Sequence, residues 1–241
     1  MNEHTFKRYD GQLNDLKDKV LQMGALVEKA TRRSMNSLIK HDSRRAHKVI
    51  ERDHAINDLE VEIDELTRII FALNQPAAGD LRFLMTTIKI VTDLERMGDL
   101  AEAIAERMLE TEDNPLIHVS SLQSLSELVM RQLKLVLDAF TSEDEFIAYQ
   151  CIVKGNKVRE MNRAMQREYL TYMLEDPRQI TASLIATNIS KNLERISAHC
   201  INIAEMLIYM VSGEDIRHKD IEEIAAIIGV ANAAENTADD E

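Results

Sequence analysis

Residues 81–109 read LRFLMTTIKIVTDLERMGDLAEAIAERML. Leu81, Leu84, Ile88, Val91, Glu95, Gly98, Glu102, Ala105 and Leu109 recur at alternating steps of three and four, the spacing that brings side chains onto one helical seam. No strand pattern of period two competes with it. The segment therefore predicts a long helix opening around Gly79-Asp80, with carboxylates at two positions where an apolar residue is expected.

The same period extends in both directions. Upstream, Ala46, Val49, Asp53, Ile56, Glu60, Ile63, Thr67 and Ile70 predict a second helix, capped by Ser43 and stopped at Asn74-Gln75-Pro76. Before it, Phe6, Tyr9, Leu13, Leu16, Val20, Met23, Val27 and Ala30, then Met35, Leu38 and Ile39, predict a first helix from about Thr5 to Lys40. Downstream, a break at Thr111-Glu112-Asp113-Asn114-Pro115 precedes a fourth helix opening at Ser120 or Ser121, with Leu122, Leu125, Val129, Leu133, Val136 and Phe140 on its seam. Thr141-Ser142-Glu143-Asp144 reads as a turn with a cap. A fifth helix carries Ala148, Cys151, Gly155, Val158, Asn162, Met165, Tyr169 and Tyr172 up to Asp176-Pro177. A sixth runs from about Thr181 to Val211 and closes at Ser212-Gly213, Ile221 to Ile228 form a short extra helix, and the polar tail ANAAENTADDE is expected to fray.

Composition agrees with this pattern. The 241 residues include only 7 Gly and 3 Pro, aromatics are 4%, and Trp is absent, too little turn and β material for a sandwich or a Rossmann-type sheet. The prolines mark breaks between helices, and short connections make neighbouring helices antiparallel. The halves also match: Ile56 with Val158, Pro76 nearly with Pro177, and Leu94-Glu95-Arg96-Met97 with Leu193-Glu194-Arg195-Ile196. The expected fold is all-α, a tandem pair of antiparallel three-helix bundles with six long helices and a short C-terminal helix or tail. The expected domains are 1–115 and 116–241, and a single elongated six-helix array is the competing architecture.

A net charge of -13 disfavours nucleic acid as a partner. Apolar runs are short and broken by charge, so no membrane insertion is expected, and MNEHTFKRYD has no apolar core of a signal peptide. Cys151 and Cys200 lack metal or redox spacing and read as buried free thiols of a reducing compartment, which points to the cytoplasm.

The residues that interrupt the seams carry the chemical information. Asp53 and Glu60 lie one heptad apart, as do Glu95 and Glu102, and Asp99 lies one turn after Glu95. A short hairpin lets the two seams face each other, while the obvious internal bases beside them are Arg52, His54 and Arg96. A single acidic seam residue commonly reaches water at a bundle end. Four on facing seams beside Asp99 instead suit hard cations, divalent or ferric, such as iron, manganese, magnesium or zinc. An acidic groove binding cations loosely is the alternative. The second half holds Gly155, Asn162 and Ala198 where the first has Asp53, Glu60 and Asp99. There Glu194, His199, Asn202 and Glu205 remain, as either an ordinary hydrogen-bonded polar seam or a weaker metal site. No phosphate loop, GxGxxG, HExxH or GxSxG is present, and Glu51-x-x-His54 is a single half of a di-iron motif, so no catalytic or organic-cofactor residue is assigned.

LERMGDLAE at 94–102, LERISAHCINIAE at 193–205 and the ending IYMVSGEDIRH at 208–218 resemble the PhoU family of phosphate-signalling regulators. The resemblance runs from about Phe6 to His218, and Glu95-x-x-x-Asp99 matches the family's acidic motif. It implies a non-enzymatic cytoplasmic adaptor, often a homodimer, peripheral to membrane complexes. Such an adaptor restrains phosphate uptake and the transcriptional starvation response by contacting the ATPase of a phosphate ABC transporter and a sensor histidine kinase. It also implies metal clusters on the carboxylates. Ser197-Ala198 stands where the family usually shows Gly-Asp, which weakens a second cluster. A helical metal-storage or di-iron carboxylate protein is the alternative function, and a purely structural helical scaffold is a third.

Overall fold

The computed structural model describes residues 3–111, 116 and 119–230. The side chain of Phe6, the expected boundary at Pro115 and the tail 231–241 lie outside the described residues. The helices are α1 (Glu3–Ile39), α2 (Ser43–Ile50), α3 (His54–Leu73), α4 (Ala78–Leu109), α5 (Ser120–Ser142), α6 (Glu145–Glu175), α7 (Ile180–Ser212) and α8 (Ile221–Ile227), with one 3-10 turn at Pro177–Gln179. No strand occurs among the described residues. The all-α expectation therefore holds.

Most boundaries follow local chemistry. Asp144 caps α6 by accepting from the backbone N–H groups of Phe146 and Ile147. Gly213 ends α7 at φ 81°, the left-handed conformation that glycine adopts without a Cβ penalty. Asp220 and Glu223 close a reciprocal capping box on α8. Two expectations are corrected. The cap of α2 is Asp42, whose carboxylate accepts from Arg45 N at 3.2 Å, and Ser43 is the first helical residue. The expected second helix is also broken in two. Residues 51–53 turn with i→i−3 bonds, Arg52 N to Val49 O at 3.1 Å and Asp53 N to Ile50 O at 3.3 Å, and His54 Nδ1 takes the Glu51 carbonyl at 2.9 Å. Asp53 consequently stands at the entrance of α3 rather than mid-helix.

Cross-helix contacts set the directions. Lys19–Glu62 and Asn74–Gln12 make α1 and α3 antiparallel, Ser121–Glu168 and Gln132–Cys151 do so for α5 and α6, and Cys151–Cys200 and Asn162–Glu194 for α6 and α7. The first unit is α1 to α4 and the second α5 to α7. They meet along two more antiparallel seams. In one, Gly24 of α1 faces Leu137 of α5; a Cβ there would lie 2.5 Å from Leu137 Cδ2. In the other, α4 packs on α7, with Arg82 Nε donating to Met210 O at 3.3 Å. Buried side chains of both units form one continuous apolar core, from Leu16, Met23 and Leu94 to Leu133, Ile189 and Leu193. Each such side chain contributes about 1.5–3 kcal/mol relative to exposure, so the interface between the units is part of the core.

Candidate functional site

The acidic row lies along the groove between α3 and α4. Gly98 makes the close approach there: a Cβ would stand 2.9 Å from Ile56 Cδ1 and 3.4 Å from Asp53 Oδ1. Asp53, Glu60, Glu95 and Glu102 are half-buried, while Asp99 is exposed at the rim. Burial raises the pKa of all four half-buried carboxyls, and Asp99 pushes each of them further in the same direction. Asp64 adds to the rise at Glu60, Glu60 to that at Glu95, and Asp53 and Glu106 to that at Glu102. Opposition is weak. Arg96 is mostly solvent-exposed, with its Nε 3.6 Å from Glu95 Oε2, and Asn57 Nδ2 donates to Asp53 Oδ2 at 3.2 Å.

The row is thus a line of mutually repelling carboxylates with little cationic relief. Oxygen donors of this kind fit a hard divalent or ferric ion. Among the described residues, however, no three His, Cys, Asp or Glu side chains converge to hold one. The residues are strung along the groove, and ligation would require rotamer changes to bring them together.

The second unit shows how the same framework looks without the acid. Gly155 occupies the position of Asp53, and Ile201 that of Glu102; a Cβ on Gly155 would lie 2.4 Å from Ile201 Cδ1. Apolar packing therefore fills the space that two carboxylates share in the first unit. Asn162 Nδ2 donates to Glu194 Oε2 at 2.5 Å, where the first unit opposes Glu60 to Glu95. The remaining residues of the expected second set separate. His199 Nδ1 lies 2.7 Å from Asp93 Oδ1, and Asn202 Nδ2 donates to the same oxygen at 3.2 Å, so both face α4 of the first unit. Glu205 is half-buried near the chain after α7; burial raises its pKa, and His218 and Arg217 pull it down.

Sequence reasoning missed two residues. Asp93, one place before the Leu94-Glu95-Arg96 motif, joins the units through His199 and Asn202. Its signal was an acid where the second half has Asn192. Fully buried Gln132 of α5 donates to Cys151 O at 3.0 Å and Ser197 O at 3.3 Å and accepts from Ser197 Oγ at 2.6 Å. This explains a serine beside the helix contact. Cys151 and Cys200 are buried free thiols, as expected, and burial pushes Cys151 up to about 12.

Comparison with known proteins places this architecture. The PhoU domain model matches residues 20–108 and 122–207, one segment in each unit. The phosphate-specific transport system accessory protein PhoU of Serratia marcescens is 37% identical over 221 residues, covering 90% of each chain. That of Escherichia coli K12 is 35% identical over 231 residues, covering 95% of each. The crystal structure of PhoU from Pseudomonas aeruginosa superposes with a TM-score of 0.83 at 36% identity, over 86% of this chain and 100% of that one. The phosphate transport system regulatory protein PhoU from Streptococcus pneumoniae gives a TM-score of 0.81 at 28% identity, over 86% and 98%. With both units matched and relatives this similar along nearly their whole length, the chain belongs to the PhoU family.

Proposed function

We propose that this chain is an accessory protein of a phosphate-specific transport system that restrains phosphate uptake and the starvation response when phosphate is plentiful. It acts without catalysis, as a cytoplasmic adaptor and homodimer that docks on the ATPase of the phosphate ABC transporter and on a sensor histidine kinase. The observation that supports this most is the whole-length similarity to transport-system accessory proteins. No helix among the described residues is long and apolar enough to cross a membrane, which suits a peripheral partner of membrane complexes. Long rigid helical faces on a chain of net charge -13 suit docking to basic surfaces, where charge guides encounter and orientation. The acidic row takes part as a hard-cation site. The metal-storage alternative rests on that row alone.

The test is a phosphate-responsive reporter in a strain lacking the protein and any second copy. In phosphate-rich medium the reporter should stay switched on, and the intact chain should restore repression. Normal repression in the deletion strain rejects the regulatory reading.

A further inference from the structure

One small concavity of about 100 Å³ lies where α1, α2 and the 51–53 turn meet. Its rim carries Lys29, Arg33, Lys48 and Arg52, and its floor is apolar, with Leu26, Val49 and Ile56. Lys29 and Arg33 are one turn apart on α1, and Lys48 and Arg52 are one turn apart across the end of α2. Like charges at that spacing repel. Among the described residues none of the four has a carboxylate within ion-pair distance, although the chain carries 42 Asp and Glu against 29 Lys and Arg. Asp53 borders the concavity, but its Oδ2 accepts from Asn57 and its Oδ1 lies 3.4 Å from where a Cβ on Gly98 would stand.

Four basic side chains from two helices and a turn line one concavity without an ion-pair partner among the described residues, in an otherwise acidic protein, and call for an anion. We infer that this concavity is a binding site for a tetrahedral oxyanion of the size and charge of inorganic phosphate. The volume selects the class: pockets for nucleotide- or drug-sized ligands run roughly 300–1,000 Å³. Two guanidinium groups offer planar forks of donors to oxyanion oxygens, and the two ammonium groups add charge from flexible stems. The break between α2 and α3 builds the site, because it places Arg52 in the turn beside α1. The site is separate from the acidic row yet shares Asp53 with it, so anion and cation occupancy should influence each other.

Calorimetry on the intact chain with inorganic phosphate, at low ionic strength and in a chelator so that no cation carries the anion, tests this. Saturable binding at one site per chain is expected. K48Q/R52Q, both exposed positions, should weaken it by about tenfold or more for each cationic group removed, with unchanged circular dichroism. R33Q should weaken it similarly, and K134Q/K157Q, which removes two exposed charges elsewhere, should leave it unaltered. Absence of saturable phosphate binding overturns the inference, and so does an equal loss in K134Q/K157Q. Sedimentation with phosphatidylglycerol vesicles is the second arm. Vesicle binding that needs Lys48 and Arg52 without any binding of free phosphate overturns the free oxyanion in favour of a lipid headgroup. A chain that binds no phosphate but still restores reporter repression removes this site and leaves the regulatory function standing.

Discussion

Burial is the largest cause raising the pKa of Asp53, Glu60, Glu95 and Glu102, and Asp99 adds to the rise at every one of them. A carboxyl whose folded pKa lies above its unfolded value binds more protons when folded. Its contribution to stability is full below the unfolded pKa and is lost as pH rises through the folded one. The melting temperature should therefore rise as pH is lowered from neutrality toward the ordinary carboxylate range, as the row takes up protons. Asp99→Asn should reduce that dependence without abolishing it, since burial remains, and stabilise the chain at neutral pH by about 0.5 kcal/mol, the scale of one exposed like-charge pair. Calorimetric melts across pH will show either result. Manganese or calcium at neutral pH should imitate protonation, and Glu95→Gln with Asp99→Asn should weaken cation binding. Glu194→Gln should leave cation binding unaltered, because Asn162 already occupies that carboxylate. Equal cation binding by the wild type and the Glu95→Gln/Asp99→Asn chain would remove the row as a metal site.

Pairs of helices in this protein approach closely where a side chain has been removed. Gly98 lets α4 reach Ile56 and Asp53, and Gly155 lets α6 reach Ile201 and Gln132. Gly155→Ala would bring a Cβ to 2.4 Å from Ile201 Cδ1, 2.8 Å from Ile201 Cγ1 and 3.0 Å from Gln132 Nε2. Overpacking of this kind costs about 1–3 kcal/mol, which outweighs the roughly 1 kcal/mol that alanine gains over glycine inside a helix. Denaturant unfolding should show the loss, and Ile201→Val in the same chain should recover part of it. For the same reason, Gly155→Asp with Ala198→Asp will not rebuild an acidic site in the second unit unless Ile201 is shortened as well. The break at 51–53 belongs to this scale too. No Gly or Pro lies between residues 25 and 75, so the seam of α2 and α3 reads as one uninterrupted helix. The turn comes from α2 laying Ala46 and Val49 into the core while His54 captures the Glu51 carbonyl.

Across the whole molecule, the two units share one core and one polar clasp. Asp93 accepts from both His199 and Asn202 at the α4–α7 seam, with the histidine and aspartate side chains largely shielded from water. Asp93→Ala should cost about 1–3 kcal/mol, because the part-buried His199 loses its acceptor, while exposed Asn202 can turn to water. A double-mutant cycle with His199→Ala should return a coupling of about 0.5–3 kcal/mol. The loss should appear as a lower midpoint of a single unfolding transition. Separate melting of the two units in wild type would contradict a shared core.

The helical period is a local property, and it was readable from the seams alone: α1, α4, α5, α6, α7 and α8 lie within a few residues of where spacing, Pro76, Pro177, Asp144 and Gly213 put them. The facing of Asp53 and Glu60 with Glu95 and Glu102 was equally legible, because one short hairpin fixes which seams meet. Contacts between units were not. Whether Glu194, His199, Asn202 and Glu205 point to one place depends on how α7 is rotated and on what α4 presents to it, and these are set by packing across more than a hundred residues of chain. Asp93 lies off the apolar seam of α4, and only the packing of α7 against α4 brings His199 and Asn202 to it. The basic concavity was equally hidden, because Lys29 and Arg33 meet Lys48 and Arg52 only after α2 folds back on α1 and the chain turns at 51–53. Periodicity carries the direction each side chain takes from its own helix, whereas the identity of what it meets is a property of the assembled core.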